Sequence, residues 1–248
     1  MVPRLLRHGV TAGAVLLGAE AAYAVLRPVP KLSDFDPSGS FGESHLPSLR
    51  VAVLGDSSVT APGVAGPEEI WVSRVCSRLS ETSYVTLESF AVSGSKAADL
   101  IENQLEPTLA FDPDLVLVAV GANDVIRGVS VRAFEGQLDD LIGALAETDA
   151  LVIMSGVGDM GTIPRLHPPL RNLMTRRSQR FNEIHLEVAA RYGAYVIDQR
   201  SDDPDSWYTD RSLWSPDLFH VSAAGHERWA NLTWRTIEPL LGVRHGKG

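Results

Sequence analysis

Short apolar runs recur along this chain with helical patterns between them, and that alternation restricts the fold more than any other feature. Leu115–Val120 is apolar throughout, Val51–Leu54 and Leu151–Met154 are shorter runs of the same kind, and Tyr84–Phe90 and Tyr195–Ile197 read as further strands. Near-continuous apolar strands are the mark of a parallel sheet covered on both faces. Between them, Glu68–Ser80 carries Ile70, Val75 and Leu79 on one helical face, and a short helix is expected around Ala97–Leu105. Val131–Glu147 is the clearest helix, with Phe134, Leu138, Leu141, Ile142 and Leu145 at helical spacing. Leu170–Ala190 offers Leu173, Phe181, Ile184 and Val188 to a core, while Arg176, Arg177, Arg180 and Glu183 point elsewhere. The last helix, Ser222–Leu241, aligns Ala230, Trp234, Ile237 and Leu241, with Ser222 as its N-cap. Strands alternating with helices predict an α/β chain: a parallel sheet of about five strands in a three-layer α/β/α sandwich.

The chain has 248 residues, 44% of them hydrophobic, enough to bury one sizeable core. Its net charge of −9 disfavours nucleic acid as a partner, because that affinity comes from neutralising phosphates. The single cysteine, Cys76, cannot form an internal disulfide and reads as a small core residue. Residues 1–27 are set apart from the fold. Arg4 and Arg7 precede the apolar run 9–26, interrupted at Glu20, which as a helix spans about 27 Å. Three readings compete: a signal peptide cleaved after Ala22-Tyr23-Ala24, a retained membrane anchor, and a helix packed on the domain. The first two make the protein extracytoplasmic or membrane-associated through residues 9–26; the third leaves a cytoplasmic protein open. Residues 28–48 form a Pro-rich linker, a tether or a segment lying over the surface. A single domain follows over 49–242, with a tail at 243–248. Oligomeric state is not legible.

In open α/β sheets ligands bind beyond the carboxyl ends of the strands. Ser57 stands there, in Gly55-Asp56-Ser57-Ser58 after the first strand, where a nucleophile would sit; Asp56 and Ser57 also suit an ordinary turn. Gly156-Val157-Gly158-Asp159-Met160-Gly161 fits a dinucleotide fingerprint, but Pro164, Pro168 and Pro169 forbid the helix that it needs, so it reads as a loop. Asp217, His220 and His226 lack the further ligand that a metal site requires. Asp202-Asp203-Pro204-Asp205 reads as a solvated acidic loop. The basic face of Leu170–Ala190 reads as solvated too, with anionic head groups or a phosphorylated acyl carrier as the alternative.

Four blocks in order carry a resemblance: Gly55-Asp56-Ser57-Ser58, Ser93-Gly94, Gly121-Ala122-Asn123-Asp124 and Asp217-Leu218-Phe219-His220. The chain resembles the SGNH hydrolase superfamily, the GDSL-type esterases and lipases, from about Leu49 to Leu241. It departs where the common Leu after Gly-Asp-Ser is Ser58, which bears on substrate rather than mechanism. The resemblance implies a flavodoxin-like fold and a serine esterase without metal or organic cofactor. Ser57 would be the nucleophile, His220 the base and Asp217 the orienting acid, with Asp198 in reserve. The oxyanion donors would be the backbone N–H groups of Ser57 and Gly94 and the Asn123 amide. Asp124 would hold the loop. The implied substrate is a small-molecule or lipid ester; a thioester, an acetylated sugar, and a catalytically idle domain binding acyl chains or glycans stay open.

Overall fold

The computed structural model describes residues 30–199 and 203–244, with 18–20, 22, 23, 26 and 28 ahead of them. The greater part of the segment 1–27 thus lies outside the described residues. Among the described residues, no helix is long and apolar enough to cross a membrane.

Among the described residues the sheet has six strands: β1 (Gly39–Phe41), β2 (Ser48–Gly55), β3 (Tyr84–Ser89), β4 (Leu115–Ala119), β5 (Leu151–Ser155) and β6 (Tyr195–Ile197), in the order β1-β3-β2-β4-β5-β6. Strands β3-β2-β4-β5-β6 run parallel in the flavodoxin-like order. The sixth strand, β1, pairs antiparallel to β3 at the edge, with Phe41 opposite Val85. It arises inside the Pro-rich segment, which therefore runs as part of the domain there rather than as a free tether.

The α-helices described from residue 30 onward are α1 (Ser57–Thr60), α2 (Trp71–Leu79), α3 (Ala97–Asn103), α4 (Leu105–Phe111), α5 (Ala122–Ile126), α6 (Val131–Ala146), α7 (Leu170–Tyr192), α8 (Pro204–Thr209) and α9 (Ala223–Arg244). The one helix expected near Ala97–Leu105 is two, broken at Gln104. Because strand side chains alternate between faces, β2 feeds both layers. Ala52 and Leu54 pack with Leu100, Phe134, Leu138, Phe181 and Val188 beneath α3, α6 and α7. Val51 and Val53 pack with Val72, Val75, Leu79, Ala230 and Ile237 beneath α2 and α9. Cys76 belongs to the second layer and is fully buried, as expected.

Helix α7 departs from expectation at two positions. Its buried stripe runs through Met174, Ser178, Phe181, His185 and Val188, so Leu173 falls off it and is 43% exposed. Arg177 turns inward instead, donating through Nε to Val125 O (3.1 Å) and through Nη2 to Val129 O (2.7 Å). Val125 lies in the last turn of α5 and Val129 in the loop beyond it, so one guanidinium ties both to α7.

Candidate active site

The strand order reverses between β2 and β4, and a crevice opens beyond their carboxyl ends, where open α/β sheets place ligands. Ser57 follows β2, Asn123 follows β4, and both line one cavity of about 310 Å³ together with Asp56 and His220. Its apolar wall includes Trp71, Val157, Met160, Trp207, Trp214 and Phe219.

Asp56 is almost fully buried and caps α1. Its Oδ1 accepts from Ser58 N (2.9 Å) and its Oδ2 from Asn123 Nδ2 (2.8 Å). Burial pushes its carboxyl above the usual range, and those hydrogen bonds and the nearby His220 work the other way. Helix α5 begins at Gly121, whose φ of +118° and crowding suit glycine: a Cβ there would meet Val157 Cγ2 at 2.6 Å. Asp124 accepts at Oδ2 from Ala97 N (3.2 Å) and so ties α5 to the start of α3, the loop-holding place expected of it. Burial raises its carboxyl to about 6.

Asp217 and His220 sit on a tight turn through Leu218, a non-glycine residue at φ 59°. The turn gathers donors on Asp217. Oδ1 accepts from Ser215 Oγ (2.6 Å), Phe219 N (2.9 Å) and His220 N (2.9 Å), while Oδ2 faces His220 Nδ1 at 2.7 Å. Burial works to raise this carboxyl, but the bonds from His220, Ser215 and the backbone outweigh it and hold it well below the ordinary range. An ionised, acceptor-only carboxylate at Nδ1 keeps the proton on that nitrogen and leaves Nε2 as a base. The reserve acid Asp198 follows β6 and is exposed; His220 Nδ1 goes to Asp217 instead.

Gly94 (φ +83°) lies on the loop after β3, which Val92 N ties to Gly55 O (3.1 Å) at the end of β2. It reaches the same edge of the sheet but is not part of the cavity wall. Gln104, buried and unremarkable in the sequence, clamps that edge. Its Oε1 accepts from Gly55 N (2.9 Å) and its Nε2 donates to Gly55 O (3.0 Å) and Ser95 Oγ (3.2 Å).

The Gly156–Gly161 stretch is a loop leading into a 3₁₀ turn at Met160–Thr162, and it lines the cavity. Asp159 Oδ2 there accepts from Tyr208 of α8 (2.6 Å). His226 also lines the cavity; burial, then Arg74 and His220, lower it to about 3, so it is neutral near pH 7. Among the described residues, no group of three or more His, Cys, Asp or Glu is placed to hold a metal ion.

The sequence profile of the GDSL-like Lipase/Acylhydrolase family matches residues 53–228. A GDSL-like esterase of Mycobacterium tuberculosis is 24% identical over 198 residues, 78% of this chain and 63% of that protein. An arylesterase of Vibrio mimicus is 28% identical over 144 residues, 57% of this chain and 66% of that protein. Each match thus spans slightly less than two thirds of the relative's length. Among solved structures, TesA superposes with a TM-score of 0.64 at 23% identity, covering 77% of this chain and 99% of TesA. That likeness is one of fold.

Proposed function

The chain belongs to the GDSL-like lipase/acylhydrolase family, and we propose that it hydrolyses carboxylic esters through an acyl-enzyme on Ser57. The observation that carries this reading is the 2.7 Å pair between His220 Nδ1 and Asp217 Oδ2, at a cavity that Ser57 and Asn123 also line. His220 Nε2 takes the proton of Ser57 Oγ as that oxygen attacks the ester carbonyl, and Asp217 stabilises the imidazolium. The proton then passes to the departing alkoxide, and water attacks the acyl-enzyme by the same route in reverse.

The tetrahedral oxyanion is met by the N–H of Ser57 and by Asn123, and Gly94, outside the cavity wall but on the loop that Ser93 joins to the Ser57 turn, would add the third N–H. A carboxamide has two N–H bonds on one nitrogen. Asp56 engages Asn123 Nδ2 and so fixes the amide plane, leaving its other N–H for the substrate. The chain's own side chains and backbone N–H groups supply nucleophile, base and oxyanion donors, so the proposed reaction needs neither metal nor organic cofactor.

The apolar wall favours a lipid-like or small hydrophobic acyl group over an acetylated sugar, and the volume suits a modest ligand rather than a polymer. Turnover of p-nitrophenyl esters from acetate to decanoate tests the reading. The protein is expected to cleave at least one, with Ser57→Ala losing nearly all of that rate while staying folded. Equal turnover by Ser57→Ala would overturn it.

A further inference from the structure

The segment ahead of the central strands is bonded into the edge of the site. Asp34 Oδ1 accepts from Thr60 Oγ1 at 2.8 Å and from Ser93 Oγ at 2.6 Å, and the two hydroxyl oxygens lie 2.8 Å apart. The next residue, Phe35, donates its N–H to Thr60 O (2.8 Å) and packs against the α2–α9 layer. Further on, Ser38 Oγ accepts from Ser89 N (3.0 Å) before β1 joins the sheet. Residues 34–41 therefore run as a strap, ahead of the residues that match the family.

The two hydroxyls that Asp34 holds belong to the two segments carrying the proposed backbone oxyanion donors. Thr60 closes α1, the turn that Ser57 opens. Ser93 immediately precedes Gly94. From the other side, the Gly94 loop is held by Gly55 O and by Gln104. Resting on the proposed function, we infer that Asp34 is a positioning residue. Its carboxylate ties the Ser57 turn to the Gly94 loop, so that both backbone N–H groups keep a common aim at the oxyanion.

A carboxylate suits the task because it only accepts, and one oxygen can take both hydroxyl protons. Thr60 and Ser93 alone would share a single hydrogen bond and leave the loop free to drift. Donors act on charge that develops in the transition state, so small errors in their aim cost rate rather than ground-state binding.

The test measures kcat and KM on a small ester, per folded molecule, in full-length protein. Asp34→Ala is expected to lower kcat about tenfold with KM within about twofold, a smaller loss than removing a donor outright. Asp34→Asn keeps an acceptor oxygen and is expected to recover most of that rate. Ser93→Ala, which removes one of the two anchored hydroxyls, is expected to cost about threefold in kcat, and adding it to Asp34→Ala to cost nothing further. Unchanged kcat in Asp34→Ala or Ser93→Ala, or fully additive losses, would overturn the inference and leave the esterase reading standing. Wild-type turnover that does not depend on Ser57 would instead remove that reading, and the inference with it.

Discussion

Asn123 owes its orientation to a carboxylate 67 residues away in sequence, since one of its amide protons is committed to Asp56. Replacing it with Ala should lower kcat by about 10²–10³-fold with little change in KM, the usual loss for one oxyanion donor. Steady-state kinetics against thermal melting check this. A purely structural asparagine would lose melting temperature and would turn over normally per folded molecule. Asp217 and His220 could be paired from the sequence because an acid three residues before a base meets it across one turn. Ser57 was legible from its place after the first strand and from the resemblance that the four blocks carry. The partners that fix those blocks were not. Asp56 reads locally as a turn former, yet it reaches across to β4's loop. Gln104 bonds Gly55 across 49 residues of chain and carries no local signature at all.

At the scale of elements, hydrophobic period was a sound guide wherever a strand or helix packs by its own repeat. Val131–Ala146 matches its expected span closely, with Phe134, Leu138, Leu141, Ile142 and Leu145 all buried. β1 escaped because its three residues have no period of their own; only the neighbouring edge of β3 makes them a strand. Arg177 escaped because charge pattern alone sends it to solvent, whereas two carbonyls near the end of α5 draw it in. The junction of α5 and α3 carries a prediction of its own. Asp124 is raised to about 6 by burial, above its ordinary value near 4. A carboxyl with a raised folded-state value contributes stability that is complete below its unfolded value and lost as pH rises through the folded one. The melting temperature of wild type relative to Asp124→Asn is therefore expected to fall between about pH 4 and pH 6 and then level off. Melting curves across that range check it, and a constant difference would contradict it.

Across the molecule, the flavodoxin-like strand order creates the reversal between β2 and β4, where Ser57, Asn123 and His220 come to line one cavity. The order of elements made this crevice legible in advance. Its walls were not, because Trp71, Trp207 and Trp214 converge only once the sheet is wound. The apolar run at 9–26 supports the proposal that the chain is held at a membrane. Full-length protein should then partition with membranes, while protein starting near Lys31, which keeps Asp34, should stay soluble and active on small esters; full-length protein found wholly in the soluble fraction would contradict this. The proposed reaction stands on Ser57 being an activated nucleophile and not a turn serine. Labelling with a fluorophosphonate, followed by mass spectrometry of the Ser57 peptide, tests it most directly. Time-dependent modification of Ser57 is expected in wild type, with strong slowing in His220→Ala and none in Ser57→Ala; a wild-type protein left unlabelled, or labelled on another serine, would rule the proposed nucleophile out.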